Sequence, residues 1–184
     1  MKKLLSLLLC LLLVVSMLPI QAKAAENEIT VYNWGQYISE GDDGSLDVIA
    51  AFEEAYPNIR VQYSTYDSNE IMYAKLKNGG ITVDVVIPSD YMIARMRTED
   101  MLLPLNFDNI PNYQYIEDQF RGLYYDPDDT YSIPYTYGVV GVIYDANQVD
   151  EADAGGWDLM WNPKYKGKIL QFNNSRDAFG TAMY

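Results

Sequence analysis

An α/β fold built on a parallel sheet is what this chain predicts, on three observations. Strand and helix signals alternate from residue 29 to residue 99, the strand runs are nearly all apolar or β-branched, and proline or glycine breaks separate the elements. Parallel strands need helical crossovers, and helices on both sheet faces let the strands read as apolar runs. Ile29 to Tyr32 reads as the first strand, and Trp34 and Tyr37 follow it directly, where the backbone must turn. In open α/β sheets small molecules bind in the crevice beyond the strand carboxyl ends, and aromatic faces there attract either sugars or organic cations. Leu46 to Tyr56 has the pattern of an amphipathic helix closed by Pro57, and Arg60 to Thr65 alternates as a strand does. Asp67 to Lys77 reads as a helix with Asp67 and Glu70 at capping-box spacing, broken by Gly79-Gly80. Val83 to Ile87 is an apolar strand that runs into Pro88-Ser89-Asp90-Tyr91, and a helix follows over Met92 to Glu99. Two strand ends carrying aromatics suggest a binding cleft.

Leu103 to Tyr131 is rich in Pro, Asn and Asp and reads as connecting structure. Its Asp126-Pro127-Asp128-Asp129 cluster looks like a calcium loop but lacks the sixth-position Gly and the terminal Glu of the EF-hand pattern, so no metal is expected there. Beyond Tyr131-Ser132-Ile133-Pro134-Tyr135, the sequence predicts a strand over Val139 to Tyr144, a helix over Trp157 to Trp161 and a strand over Lys168 to Phe172. A boundary near Thr136 to Gly138 separates two lobes, residues 25–136 and 137–184.

The first residues concern targeting. Lys2-Lys3, an apolar run from Leu4 to Ile20 and the ending Gln21-Ala22-Lys23-Ala24 have the three regions of a secretory signal, with cleavage expected after Ala24. Two other readings stand beside it. The run approaches transmembrane length, as an uncleaved anchor requires, and Cys10 raises lipid attachment, although Leu7-Leu8-Leu9 precede it where a small residue is needed.

Removing residues 1–24 takes away Lys2, Lys3 and Lys23 and no acid, so the formal charge goes from −13 to −16. An acidic surface repels nucleic-acid backbones and steers cations. The chain has no His, and its one Cys lies in the signal, so thiol catalysis, His acid–base work, zinc sites and disulfides are excluded from the mature part. No nucleophile-elbow glycine pattern supports a hydrolase, and no cofactor is expected.

An ordered set of segments carries a resemblance across the whole mature chain. It comprises Tyr32-Asn33-Trp34 with Tyr37; Tyr63-Ser64-Thr65-Tyr66 and Ser68-Asn69-Glu70; Met72 to Lys77; Pro88-Ser89 with Tyr91; Tyr131 to Tyr135; Trp157 with Trp161; and Pro163 with Tyr165-Lys166-Gly167. From about Glu28 to Tyr184 the chain resembles the bacterial spermidine/putrescine-binding proteins, the extracytoplasmic receptors of polyamine ABC transporters. The resemblance implies a type II periplasmic-binding-protein fold, two lobes joined by a hinge that close over a linear polyamine. It implies permease subunits as partners, a monomer at full length, and a location in the periplasm or at the outer face of the cytoplasmic membrane. It also implies that Trp34, Tyr37, Ser89 and Tyr91 line the first lobe's side of the cleft, and that Asn174 and Asp177 receive an amine on the second. Asp177 stands at the family's glutamate, and Asn174 stands where many relatives have an aspartate. A polyamine needs acceptors at its ammonium ends and flat apolar faces along its methylenes; Trp34, Tyr37 and Tyr91 suit the faces, and Asp177 suits an end. By the family's plan the pattern stops mid-helix at residues 178–184, so a chain incomplete at its C-terminus is expected. A binding protein for another small ligand, such as a sugar, is the alternative.

Overall fold

The computed structural model describes residues 27–183. The signal segment, with Cys10 and both alternative readings of it, lies outside those residues. Three strands, β1 (Asn27–Trp34), β2 (Ile59–Tyr66) and β3 (Val85–Val86), form a parallel sheet in the order β2-β1-β3. The β1–β2 register runs from Asn27 opposite Ile59 to Trp34 opposite Tyr66, and Tyr32 sits opposite Val86. The predicted α/β class with a parallel sheet therefore holds. Strand β3 is shorter than the apolar run from Val83 to Ile87, because Asp84 meets β1 differently. Its amide donates to the Thr30 carbonyl (3.0 Å), and its carboxylate accepts from the Thr30 amide (2.7 Å).

Helix α1 (Val48–Ala55) makes the crossover from β1 to β2. The Asp47 side chain caps it by accepting from the Ala50 amide at 2.8 Å, satisfying one of the orphan donors of a helix start. Glu53 on α1 accepts from the Val61 amide at 2.9 Å and pairs with Arg60, which fixes the helix on β2. The Val61 hydrogen bond, seconded by Arg60, holds the Glu53 carboxyl below its ordinary value.

The described chain divides into two compact units, residues 27–66 with 79–86 and residues 67–78 with 87–183. In the second, helix α2 (Asn69–Lys77) buries Asn69, Met72 and Tyr73, and helix α3 (Asp90–Thr98) buries Met92 and Met96. These are i, i+3 and i+4 spacings that put one face of each helix inward. The cap of α2 is Ser68, whose hydroxyl accepts from the Ile71 amide at 3.3 Å, and not Asp67. The capping-box spacing misleads by one residue because Ser68, with an extended backbone, reaches the third amide itself.

Glu99, just after α3, gathers cations from both helices. It accepts from the Tyr73 hydroxyl at 2.6 Å and from Arg95 at 3.0 Å, and it pairs with Lys77. Arg95 also lies over the Tyr73 ring, 4.0 Å from its centroid.

The Asp126 loop explains the calcium look-alike. Asp126 is buried, and its carboxylate accepts from the amides of Thr130 (3.2 Å), Tyr131 (2.8 Å) and Ser132 (2.9 Å) and from the Ser132 hydroxyl (2.9 Å). The acid folds a turn around itself. Among the described residues no group of three or more His, Cys, Asp or Glu side chains could hold a metal ion.

Beyond Tyr131 two expectations are corrected. Residues 139–144 and 168–172 are not strands, and Val139, Ile143 and Leu170 are 93%, 99% and 92% exposed. A strand propensity becomes a strand only where a neighbouring strand takes up the backbone amides and carbonyls, and no such neighbour meets these segments among the described residues. The helix over Trp157–Trp161 is present as a single 3-10 turn, with Leu159 buried. Short helix α4 (Ser175–Thr181) follows. Among the described residues no helix is long and apolar enough to cross a membrane.

The Glu99 cluster yields a pH prediction. Hydrogen bonds from Lys77, Tyr73 and Arg95 push the Glu99 carboxyl from 4.5 down to about 2. A carboxyl depressed in the folded state contributes stability that is fully present above its unfolded value and is lost as pH falls through the folded one. Stability from this group therefore disappears between about pH 4.5 and about pH 2. Urea unfolding of Glu99→Gln against pH should show a flatter acid limb in that window, with a slope smaller by up to about one proton. Parallel acid limbs for parent and variant would remove Glu99 from the account.

Candidate functional site

Strand ends and helix starts present the candidate residues. Trp34 is the last residue of β1, half-buried, and its ring lies 4.9 Å from that of Tyr66, its register partner at the end of β2. The chain then turns through Gly35 and Gln36, the latter at φ 62, in the left-handed region that non-glycine residues seldom occupy. That turn brings Tyr37 back onto Trp34, the rings stacked at 6.2 Å and 30°. The result is a row of three aromatics at the carboxyl end of a parallel sheet, with Tyr37 45% exposed. Aromatic faces in such a place suit a flat or cationic ligand.

Ser89, Tyr91, Asn174 and Asp177 belong to the second unit. Ser89 occupies the N-cap position of α3 without a side-chain cap, and Tyr91 stands in the first turn. Asn69 of α2, fully buried, fixes both. Its amide oxygen accepts from the Ser89 amide at 3.2 Å, and its amide nitrogen donates to the Tyr91 hydroxyl at 2.9 Å. That hydroxyl donates in turn to Glu70 at 3.0 Å. Burial pushes the Tyr91 phenol up to about 12; Glu70 and Asp177 push the same way and the Asn69 bond opposes them. Tyr91 is thus a neutral ring whose hydroxyl is fully engaged and whose face remains for other contacts. The face carries a guanidinium: Arg176 lies 4.8 Å from the ring centroid.

Asn174 is the N-cap of α4, its amide oxygen accepting from the amides of Arg176 (3.0 Å) and Asp177 (3.5 Å). Asp177, exposed in the first turn of α4, lies close enough for its charge to reach Tyr91. With Arg176, Val140, Trp157, Gly180 and Thr181 it lines a depression of about 380 Å³. Beside them Tyr124 is pushed up to about 12 by burial and by a hydrogen bond to Asp90, with Arg176 opposing. Trp34 thus lies with Tyr37 in the first unit; Ser89 and Tyr91, expected beside them on the first lobe, fall instead in the second unit, where Tyr91 feels the charge of Asp177.

Sequence reasoning gave Asn69 and Arg176 no role in the site and Glu70 only a helix-capping one. Asn69 had a readable signal, a polar residue at the buried spacing of Met72 and Tyr73. Arg176 had none, because its partner Tyr91 lies far away along the chain.

Known proteins resemble this chain in sequence and in fold. The bacterial extracellular solute-binding protein family matches residues 47–184. The spermidine/putrescine-binding periplasmic protein of Escherichia coli is 33% identical over 158 residues, 85% of this chain and 43% of its own length. The putrescine-binding periplasmic protein SpuD of Pseudomonas aeruginosa is also 33% identical, over 82% of this chain and 41% of its own. A solved structure described as a spermidine/putrescine ABC transporter protein of Listeria monocytogenes superposes with a TM-score of 0.77 at 36% identity, over 85% of this chain and 47% of that one. The spermidine/putrescine ABC transporter substrate-binding protein PotD of Streptococcus pneumoniae gives 0.67 at 39%, over 85% and 46%. The chain thus spans between 41% and 47% of the length of these relatives. With a family match over most of its length and the same α/β architecture, the chain belongs to the bacterial extracellular solute-binding proteins.

Proposed function

We propose that this protein is an exported receptor that captures linear polyamines, spermidine or putrescine, for an ABC importer. The observation that carries the reading is the Tyr91 cluster. Its ring face holds a guanidinium at 4.8 Å, its hydroxyl is locked by Asn69 and Glu70, and the carboxylate of Asp177 stands beside it. A surface that already seats an organic cation of this chain has the chemistry to seat another. In the first unit, Trp34 and Tyr37 offer stacked faces for methylenes or ammonium groups, each cation–π contact contributing roughly 0.5–2 kcal/mol. Asp177 weighs more, since a hydrogen bond to a charged group contributes about 1.5–3 kcal/mol.

The relatives' names support the ligand class, and the formal charge of −13 favours cations by long-range steering. A sugar would use the same aromatics but gains little from Asp177 or from the acidic surface, so it is the lesser reading. On the proposed reading the partners are permease subunits, the receptor acts as a monomer without nucleic acid, and its task is binding rather than catalysis.

Calorimetry of the purified protein with putrescine, spermidine and a sugar panel should give heat with a polyamine and none with sugars. Heat from a sugar alone defeats the proposal.

Within the site, Asp177→Asn should weaken polyamine binding by more than about 10-fold, or about 1.4 kcal/mol. Asn174→Asp preserves an oxygen that can cap α4 and adds a charge, so it should strengthen binding or leave it unchanged. Undiminished affinity in Asp177→Asn would mean that the amine is held elsewhere.

A further inference from the structure

The least expected group in the cluster is Arg176. A cation-binding surface in a chain with 26 acids against 13 bases has an arginine next to its principal carboxylate. Among the described residues no carboxylate forms an ion pair with this guanidinium; its close contact is the Tyr91 ring face. The other Arg and Lys residues seen over tyrosine rings differ in this respect. Arg95 and Lys77 over Tyr73 both bind Glu99, Arg121 over Tyr113 pairs with Asp118, and Lys164 over Tyr165 binds Asp150 and Asp153. Each of those cations is anchored by a carboxylate. No carboxylate anchors Arg176 in this way among the described residues, so it can leave the ring without breaking an ion pair.

An exposed arginine on a long stem can swing into water, because its head stays hydrated while the stem keeps apolar contact. Tyr91 cannot follow, because Asn69 and Glu70 hold its hydroxyl. A ligand ammonium drawn to Asp177 arrives beside Arg176, and two like charges a few ångströms apart repel unless one moves.

Resting on the polyamine reading above, we propose that Arg176 is an internal cation that covers the Tyr91 face and is displaced by a ligand ammonium on binding. Arg176 thereby sets a threshold. It keeps the ring face covered against weak monovalent cations and lowers the affinity for polyamine below what Asp177 and Tyr91 alone would give.

The test pairs calorimetry with side-chain NMR on the purified protein, using spermidine as the probe. Arg176→Gln should bind spermidine about tenfold tighter than the parent, the scale of one screened like-charge repulsion. Arg176→Lys keeps the charge and should stay within about twofold of the parent, as a charge effect requires. In the parent, the Arg176 Nε–H resonance, identified by its absence from Arg176→Gln, should start ring-current shifted and move to the position of a solvated arginine as spermidine is added. Thermal unfolding of each variant checks that the fold is retained, and the NMR titration needs no variant beyond the assignment. If the parent binds spermidine while its Arg176 signal stays put, or if Arg176→Gln binds equally or more weakly, the displacement is wrong and the polyamine reading survives. Silence from both parent and Arg176→Gln removes the polyamine reading and the displacement together.

Discussion

Strand β1 is paired on both sides in parallel, and that constraint organises residues 27–66 and 79–86. A parallel neighbour cannot be reached by a tight turn, so the chain must cross over after β1 and again after β2. The first crossover carries α1, stitched to β2 by Glu53, and the second carries α2. Because all three strands point the same way, Trp34 and Tyr66 end side by side, and the left-handed turn at Gln36 adds Tyr37 to the row. Aromatics that look scattered in the sequence become one surface for a reason of backbone direction.

In the second unit the corresponding element is Asn69. A buried amide must find partners for its oxygen and its nitrogen, and here it finds the start of α3. One end holds the Ser89 amide and the other the Tyr91 hydroxyl, so the turn before α3 cannot shift without leaving buried polar groups unpaired. Met72, Met92 and Met96 are also buried in this unit, but methionine adapts its shape readily and does little to fix orientation. Directional hydrogen bonds do that.

The parts of this arrangement that were legible in the sequence are those decided locally. β1, β2, α1, α2 and α3 were readable from apolar spacing, caps and breaks, and the aromatics at the strand end from Trp34 and Tyr37 themselves. Asp67 against Ser68 shows how fine the margin is: both residues can cap, and backbone angles one residue apart decide between them. Segments 139–144 and 168–172 carry β-branched and apolar runs as good as those of β1, yet strand propensity is only a readiness to pair. The Asn69–Tyr91 bond and the Arg176–Tyr91 contact were illegible for another reason. They join residues whose closeness depends on how separate helices pack, which no periodicity encodes.

The division of labour in the second unit follows from charge. Asn174 places its amide oxygen against the amides of α4 and so organises the turn that carries Asp177, but it contributes no charge. On the proposed reading Asp177 is then the carboxylate that meets an incoming ammonium, with Arg176 next to it in the chain and Glu70 accepting from the Tyr91 hydroxyl. A neutral ring with its phenol pushed up to about 12 stays a neutral ring across any physiological pH, so its attraction for cations does not titrate away. What varies is which cation occupies it. On the proposed displacement, competition between an internal guanidinium and an external ammonium would make affinity a difference between two similar contacts rather than the sum of all of them, as a receptor that must release its ligand as well as bind it would require.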